Sequence, residues 1–182
     1  GQLEFGENYV QELRAKVAEL QAQPGREQQP RFHFIGHLQR NKVKDVVTLA
    51  HSIQTIDSFE LAREIDKRSP AELDVMIEVN IAGEEQKAGV ATDALSALVE
   101  QLRPLSKLRV RGLMTVPPAA DEPEAARPWF QKLRALGADL AKRELLPASF
   151  ELSMGMSADF EIAIEEGATM VRVGTTLFGA RR

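Results

Sequence analysis

Phe150-Glu151-Leu152-Ser153-Met154-Gly155-Met156-Ser157 leads through a helical pattern closed by Gly167 into Met170-Val171-Arg172-Val173-Gly174-Thr175-Thr176. The spacing predicts a strand over Phe150–Met154, a helix over Ser157–Glu166 and a strand over Met170–Gly174. Strand, helix, strand in that order is a crossover unit, which joins parallel strands with a right hand. Ser157 is placed as an N-cap, leaving first-turn N–H groups free for an anion. Asp159 is an ordinary dipole partner of the same turn and competes for its positive end. Gly174 lets the backbone approach a ligand closely, and Thr175 and Thr176 offer hydroxyls beside their N–H groups. Each segment alone reads as a plain cap or a plain strand–turn. At two successive strand ends they form a candidate phosphate site, the position that loops seven and eight occupy in (β/α)₈ barrels.

Arg172 stands out within the unit. If Val171 and Val173 face the helices, period-two alternation turns Met170 and Arg172 inward. An unpaired buried charge is very costly. The guanidinium therefore needs either a ligand or a structural carboxylate, and the sequence leaves both open.

The same alternation runs outward along the chain. Strands are expected at Leu3–Phe5, Phe32–Ile35, Ser52–Ile56, Val75–Ile81 and Leu108–Val116. Helices are expected over Tyr9–Leu20 (broken by Pro24-Gly25), Leu38–Leu49, Ser58–Lys67, Leu95–Leu102 and Trp129–Leu140. Strict alternation of strand and helix implies a parallel sheet. Both a doubly wound sheet and a (β/α)₈ barrel fit. Seven strands are one short of a barrel of about 250 residues. The expectation is one barrel domain over residues 1–182 whose first strand precedes Gly1.

The chain has 182 residues, no cysteine and a net charge of −4. Thiolate metal sites, disulfide scaffolds and catalytic cysteines are excluded. The weak acidity argues against general nucleic-acid or membrane-surface binding. No apolar run reaches the roughly 20 residues of a membrane span. A cytoplasmic protein is expected. No Walker loop, GxGxxG turn, Gly-x-Ser-x-Gly elbow or His-Glu-x-x-His helix occurs. No pair of histidines has metal-ligand spacing on one face, so no metal site is expected.

Other strand ends are polar as well, where barrel enzymes keep their sites. They carry Glu7 and Asn8, His33 and His37, Asp57, and Asn80. His33 and His37 read first as hydrogen-bonded structural imidazoles. Gln39-Arg40-Asn41-Lys42-Val43-Lys44 opens a helix with cations, which oppose its dipole unless they are solvated or face an anion. Lys87, in Glu84-Glu85-Gln86-Lys87-Ala88-Gly89, reads as a surface lysine before it reads as a reactive amine.

At these residues the chain resembles the pyridoxal phosphate homeostasis proteins (the YggS/PROSC type), which are similar to the alanine racemase N-terminal barrel of fold type III. The matching segments run in order from end to end: Phe5-Gly6-Glu7-Asn8-Tyr9; His33-Phe34-Ile35-Gly36-His37-Leu38-Gln39-Arg40-Asn41-Lys42; Val79-Asn80-Ile81 with Glu84 and Lys87; Arg111-Gly112-Leu113-Met114; Ser153-Met154-Gly155-Met156-Ser157; and Arg172-Val173-Gly174-Thr175. The resemblance implies a (β/α)₈ TIM barrel holding pyridoxal 5'-phosphate at its C-terminal mouth. It implies that Ser157, Gly174 and Thr175 grip the phosphate and that Arg172 faces the pyridine nitrogen. Met154, Asn8, His33, Asn41 and Asn80 would complete the cofactor site, with the Glu84–Lys87 loop near the rim. The family's Schiff-base lysine sits on the first strand in a Val-Ser-Lys-Thr-like segment. These 182 residues hold no such segment, so that lysine is expected upstream of Gly1, and no catalytic residue is assigned within the chain. The implied function is storage, buffering or delivery of the cofactor without catalytic turnover. The implied protein is a monomer, with cofactor-accepting apo-enzymes as partners. The alternative is a pyridoxal-phosphate-dependent amino-acid racemase. Racemases of this kind need a second acid/base group, commonly a tyrosine, and the single tyrosine, Tyr9, reads as part of the first helix's packed face.

Overall fold

The computed structural model describes residues 1–22 and 29–179; Pro24-Gly25 lie outside them. Parallel strands β1 (Glu4–Glu7), β2 (Arg31–Phe34), β3 (Ser52–Ile56), β4 (Leu73–Asn80), β6 (Leu108–Met114), β7 (Glu151–Met156) and β8 (Met170–Arg172) pair in that order. A two-residue strand, β5 (Val90–Ala91), pairs with β4 off this path. Helices α1 (Val10–Gln21), α2 (Val43–Val46), α3 (Phe59–Arg68), α4 (Leu95–Leu102), α5 (Arg127–Lys142) and α6 (Phe160–Glu165) lie between them, and α7 (Thr175–Phe178) follows β8. The result is a nearly closed parallel barrel. No pairing joins β1 to β8 among the described residues, so one seam is open.

Period two along the strands sorts side chains into two layers. On β4, Leu73, Val75, Ile77 and Val79 face the helices and join the outer core. They meet Leu61 and Ile65 of α3, Leu95, Leu98 and Leu102 of α4, and Phe130 and Leu133 of α5. Burying each large apolar side chain contributes about 1.5–3 kcal/mol. The helices exist because their apolar residues recur on one face, as in α3 with Leu61, Ala62 and Ile65 buried.

The barrel interior is polar at its lower, N-terminal end. His33 lies 2.7 Å from the Ser52 hydroxyl through Nδ1 and 2.6 Å from the Glu4 carboxylate through Nε2. Burial pushes the Glu4 carboxyl up, but hydrogen bonds from His33 and Arg31 outweigh it and hold it below the usual range. Arg109 pairs with Asp74 at 2.7 Å and Arg111 with Glu151 at 3.4 Å. Glu4, His33, Ser52, Asp74, Arg111 and Glu151 line a cavity of about 350 Å³.

Two expected elements differ. The helix expected over Leu38–Leu49 shrinks to a 3₁₀ turn, Arg40–Lys42, and the four-residue α2. Val43, Val46, Val47 and Thr48 are β-branched there and lower helix propensity. The helix after β7 begins at Phe160 with Asp159 as its N-cap residue, so Ser157 is not the cap.

Candidate functional site

The β7 and β8 ends meet at the C-terminal mouth. Gly155 makes this possible. Its φ of +90° suits glycine, and an added Cβ would lie 2.5 Å from the Ala163 Cβ of α6. The bend carries Ser157 toward the loop after β8. There the Ser157 Oγ accepts the N–H of Gly174 at 3.1 Å and of Thr176 at 3.4 Å. Two backbone donors therefore converge on one oxygen. Asp159 Oδ1 accepts the Met156 N–H at 2.6 Å and fixes the turn between them. Gly174, Thr175 and Thr176 are exposed, and a Cβ at Gly174 would meet nothing within 4 Å. The loop thus leaves the Thr175 and Thr176 side chains exposed, while its Gly174 and Thr176 N–H groups are held by Ser157.

Arg172 lies just below. It turns inward as alternation requires, while Val171 packs against the outer core. Its Nη1 donates to the Ser153 Oγ at 2.7 Å and its Nη2 to the Thr115 carbonyl at 2.8 Å. Ser153 in turn donates to Gln54 Oε1 at 2.7 Å across the barrel. Among the described residues its direct partners are neutral acceptors, not a carboxylate. Burial pulls the guanidinium down to about 10, while Asp159 and Glu78 pull the other way. It remains a cation at neutral pH, oriented by a fixed fork of donors.

Glu78 is the residue that inspection of the sequence missed. It lies on β4 between Met76 and Asn80, one residue beyond the Ile77–Ile56 pairing, which sets it beside Asp57. Burial first and then Asp57 push its carboxyl up to about 7, against the pull of Arg172. The signal was present: alternation along Val75–Ile81 puts Glu78 on the same side as Asn80.

The remaining expected residues divide. Asn80 stands at the mouth, but its amide holds the next loop, through the Glu84 carbonyl at 2.8 Å and the Glu84 N–H at 3.1 Å. Lys87 in that loop reaches Glu84 at 2.6 Å and the Pro117 carbonyl at 3.0 Å. Asn41 is exposed and lines a cleft of about 570 Å³ with His37, Arg40, Asp57 and Glu60. Asn8 is exposed after β1, and its carbonyl approaches Gly36 so closely that a Cβ there would fall 2.0 Å from it. Three expectations are corrected. Met154 does not face the mouth: alternation along β7 turns Ser153 inward and buries Met154 completely in the helix-facing core. His33 does not line the mouth either. Its register partner Ser52 pairs with Asp74, near the start of β4 and six residues before Asn80, so His33 lies toward the opposite end of the barrel. Tyr9, at 53% exposure, is the residue before α1 and not part of its packed face.

A nearly closed parallel barrel whose last two strand ends are tied together through Ser157, above an inward-turned arginine, defines a barrel of the alanine racemase type. Residues 1–182 match the family model described as "Alanine racemase, N-terminal domain". The pyridoxal phosphate homeostasis protein of Aquifex aeolicus is 48% identical over 181 residues, covering 98% of this chain and 77% of that protein. The structure of PipY of Synechococcus elongatus PCC7942 with PLP bound superposes with a TM-score of 0.86 at 35% identity, covering 98% of this chain and 82% of that one. Alanine racemase from Corynebacterium glutamicum shares the fold at a TM-score of 0.71 and 16% identity, over 97% of this chain and 48% of that one. The chain belongs to the pyridoxal phosphate homeostasis protein family.

Proposed function

We propose that this protein binds pyridoxal 5'-phosphate at the C-terminal mouth and holds it for cofactor homeostasis, by storage, buffering or delivery, without catalytic turnover. The observation that carries this is the convergence of the Gly174 and Thr176 N–H groups on the Ser157 hydroxyl, directly above Arg172. The residues fit the group. Ser157, Gly174 and Thr175 offer hydroxyl and backbone donors to a phosphate, in a loop with room for it. Arg172 would face the ring nitrogen, and a permanent cation there would keep that nitrogen unprotonated and weaken the ring as an electron sink. That suits a carrier better than a catalyst. Bound pyridoxal phosphate supplies an aldehyde to which primary amines add reversibly. The reading extends to a single barrel domain over residues 1–182, a monomer working in the cytoplasm and passing the cofactor to apo-enzymes. Among the described residues no helix is long and apolar enough to cross a membrane.

One observation favours the racemase alternative: Tyr9 is exposed just beyond the C-terminal end of β1, the same end of the barrel as the site. Assaying the protein with several amino acids separates the two, since enzyme-dependent racemization would reverse the choice. The binding itself is tested by adding pyridoxal phosphate, reading the visible absorbance, reducing with borohydride and mapping the labelled peptide. Saturable binding that weakens in Ser157→Ala supports the reading. Unchanged affinity in that variant, or no saturable binding, sinks it.

A further inference from the structure

We propose that Glu78 is the charge-setting residue of this mouth: it takes up a proton as an anionic phosphorylated pyridine binds, so that the ligand is held more tightly below neutral pH than above it. The inference rests on the binding reading just given and adds a residue and a regulation to that site.

Glu78 is registered with Met114 of β6, and Met114 with Ser153 of β7, whose hydroxyl holds Arg172. Residues in register on parallel neighbours share a face. Glu78 therefore lies in the interior row that carries the arginine. Its own strand confirms the direction, since Ile77 and Val79 on either side pack outward. No hydrogen bond or ion pair reaches the Glu78 carboxyl from the described residues, although it is mostly withdrawn from solvent. The charged groups facing it are Asp57 at the end of β3 and Arg172 of β8. Among the described residues, the flanking strands place Met114, Ser153 and, bonded to Ser153, Gln54 in this row, and none of them titrates in this range.

Such a carboxyl is balanced between two states. Burial and Asp57 favour the protonated form, Arg172 the ionised one, and the balance falls at about 7. A phosphorylated pyridine seated over Arg172 brings more negative charge and displaces water. Both effects disfavour ionised Glu78. Proton uptake then accompanies binding, and by linkage affinity falls as pH rises through the interval between the free and the bound titration. One unit of coupling corresponds to about a tenfold change in affinity.

The test uses the protein with its natural N-terminus and pyridoxine phosphate, which carries the ring and phosphate but no aldehyde, so lysine chemistry does not enter. Binding is titrated from pH 6 to pH 9 for the wild type and Glu78→Gln, whose amide mimics the protonated acid. Ligand ionisation is common to both curves and cancels in their ratio. The expected result is convergence near pH 6 and a variant that binds about tenfold or more tightly at pH 8.5. Calorimetry at pH 7.5 in two buffers of different ionisation heat should show more proton uptake by the wild type than by the variant. A purely structural Glu78 would move neither readout. Glu78→Ala serves as a second neutral variant if the first does not fold. Parallel pH curves and equal proton uptake overturn the inference and leave the binding reading standing. The absence of saturable binding at every pH overturns both.

Discussion

Replacing Gly155 by alanine tests how the site is built. The perturbation is one methyl group at a backbone with φ of +90°, where its Cβ would sit 2.5 Å from the Ala163 Cβ, 3.1 Å from the Phe160 Cα and 3.5 Å from Val171. The first distance is about 1 Å inside carbon–carbon contact. Forcing an L-residue into this conformation costs on the order of 1–3 kcal/mol. Overpacking a filled core adds roughly 1–3 kcal/mol. Together they predict a loss of about 2–6 kcal/mol, or a fall in Tm of roughly 5–20 °C for a domain of this size. The strain cannot be relieved in place, because Ala163 is fully buried and the barrel strands are paired behind Gly155. Relief must push α6 outward and carry Ser157 away from Gly174. Affinity for a phosphorylated pyridine should therefore fall along with stability. Gly174→Ala is the control. Its φ is −117° and its Cβ would meet nothing within 4 Å, so folding should change by less than about 0.5 kcal/mol. Its methyl would protrude toward the ligand instead and weaken binding alone. Urea denaturation and equilibrium dialysis on the two variants separate these effects. A Gly155→Ala protein as stable as the wild type would refute the close packing of β7 on α6 and the reasoning built on it.

The other predictions follow from the same contacts. Ser157→Ala removes the hydroxyl on which two loop amides converge and should weaken pyridoxal phosphate binding about 10- to 100-fold, the range of a hydrogen bond to a charged group, as read by absorbance titration. Glu78 should also govern stability against pH. Its folded value of about 7 lies above the ordinary 4.5, so below pH 4.5 both states are protonated and nothing is lost. Between 4.5 and 7 the unfolded chain ionises while the folded one does not, and stability declines; above 7 it levels off. The full interval is worth about 3 kcal/mol, and partial solvent access lowers this to about 2. Glu78→Gln should therefore match the wild type near pH 4 and exceed it in urea denaturation at pH 8, and equal midpoints at pH 8 would count against the buried position of this carboxyl.

The order and type of most elements were legible because the strands read as short apolar or alternating runs and each long helix as a repeating apolar face. Ser52–Ile56 and Leu95–Leu102 match residue for residue. The inward turn of Arg172 followed from period two alone. What misled was local. Ser157 and Asp159 are both good cap residues, and their types do not say which one starts the helix; the left-handed turn at Gly155 decides it. Met154 sits in the middle of the site motif, yet strand alternation hands it to the other layer. His33 neighbours the polar strand end Gly36-His37 in sequence, but its height in the barrel depends on the register of β2, β3 and β4, which no single segment encodes. Glu78 was overlooked because a glutamate in an apolar strand looks like a solvated edge residue until the two layers are assigned.

The central claim is that the phosphate of the cofactor is held by the loops after β7 and β8. A crystal structure of the protein grown with pyridoxal phosphate tests it most directly. The phosphate should lie within hydrogen-bond distance of Ser157, Gly174 and Thr175, with the ring over Arg172. A phosphate seated instead on Arg40 and Asn41, in the cleft beside Asp57, would contradict it.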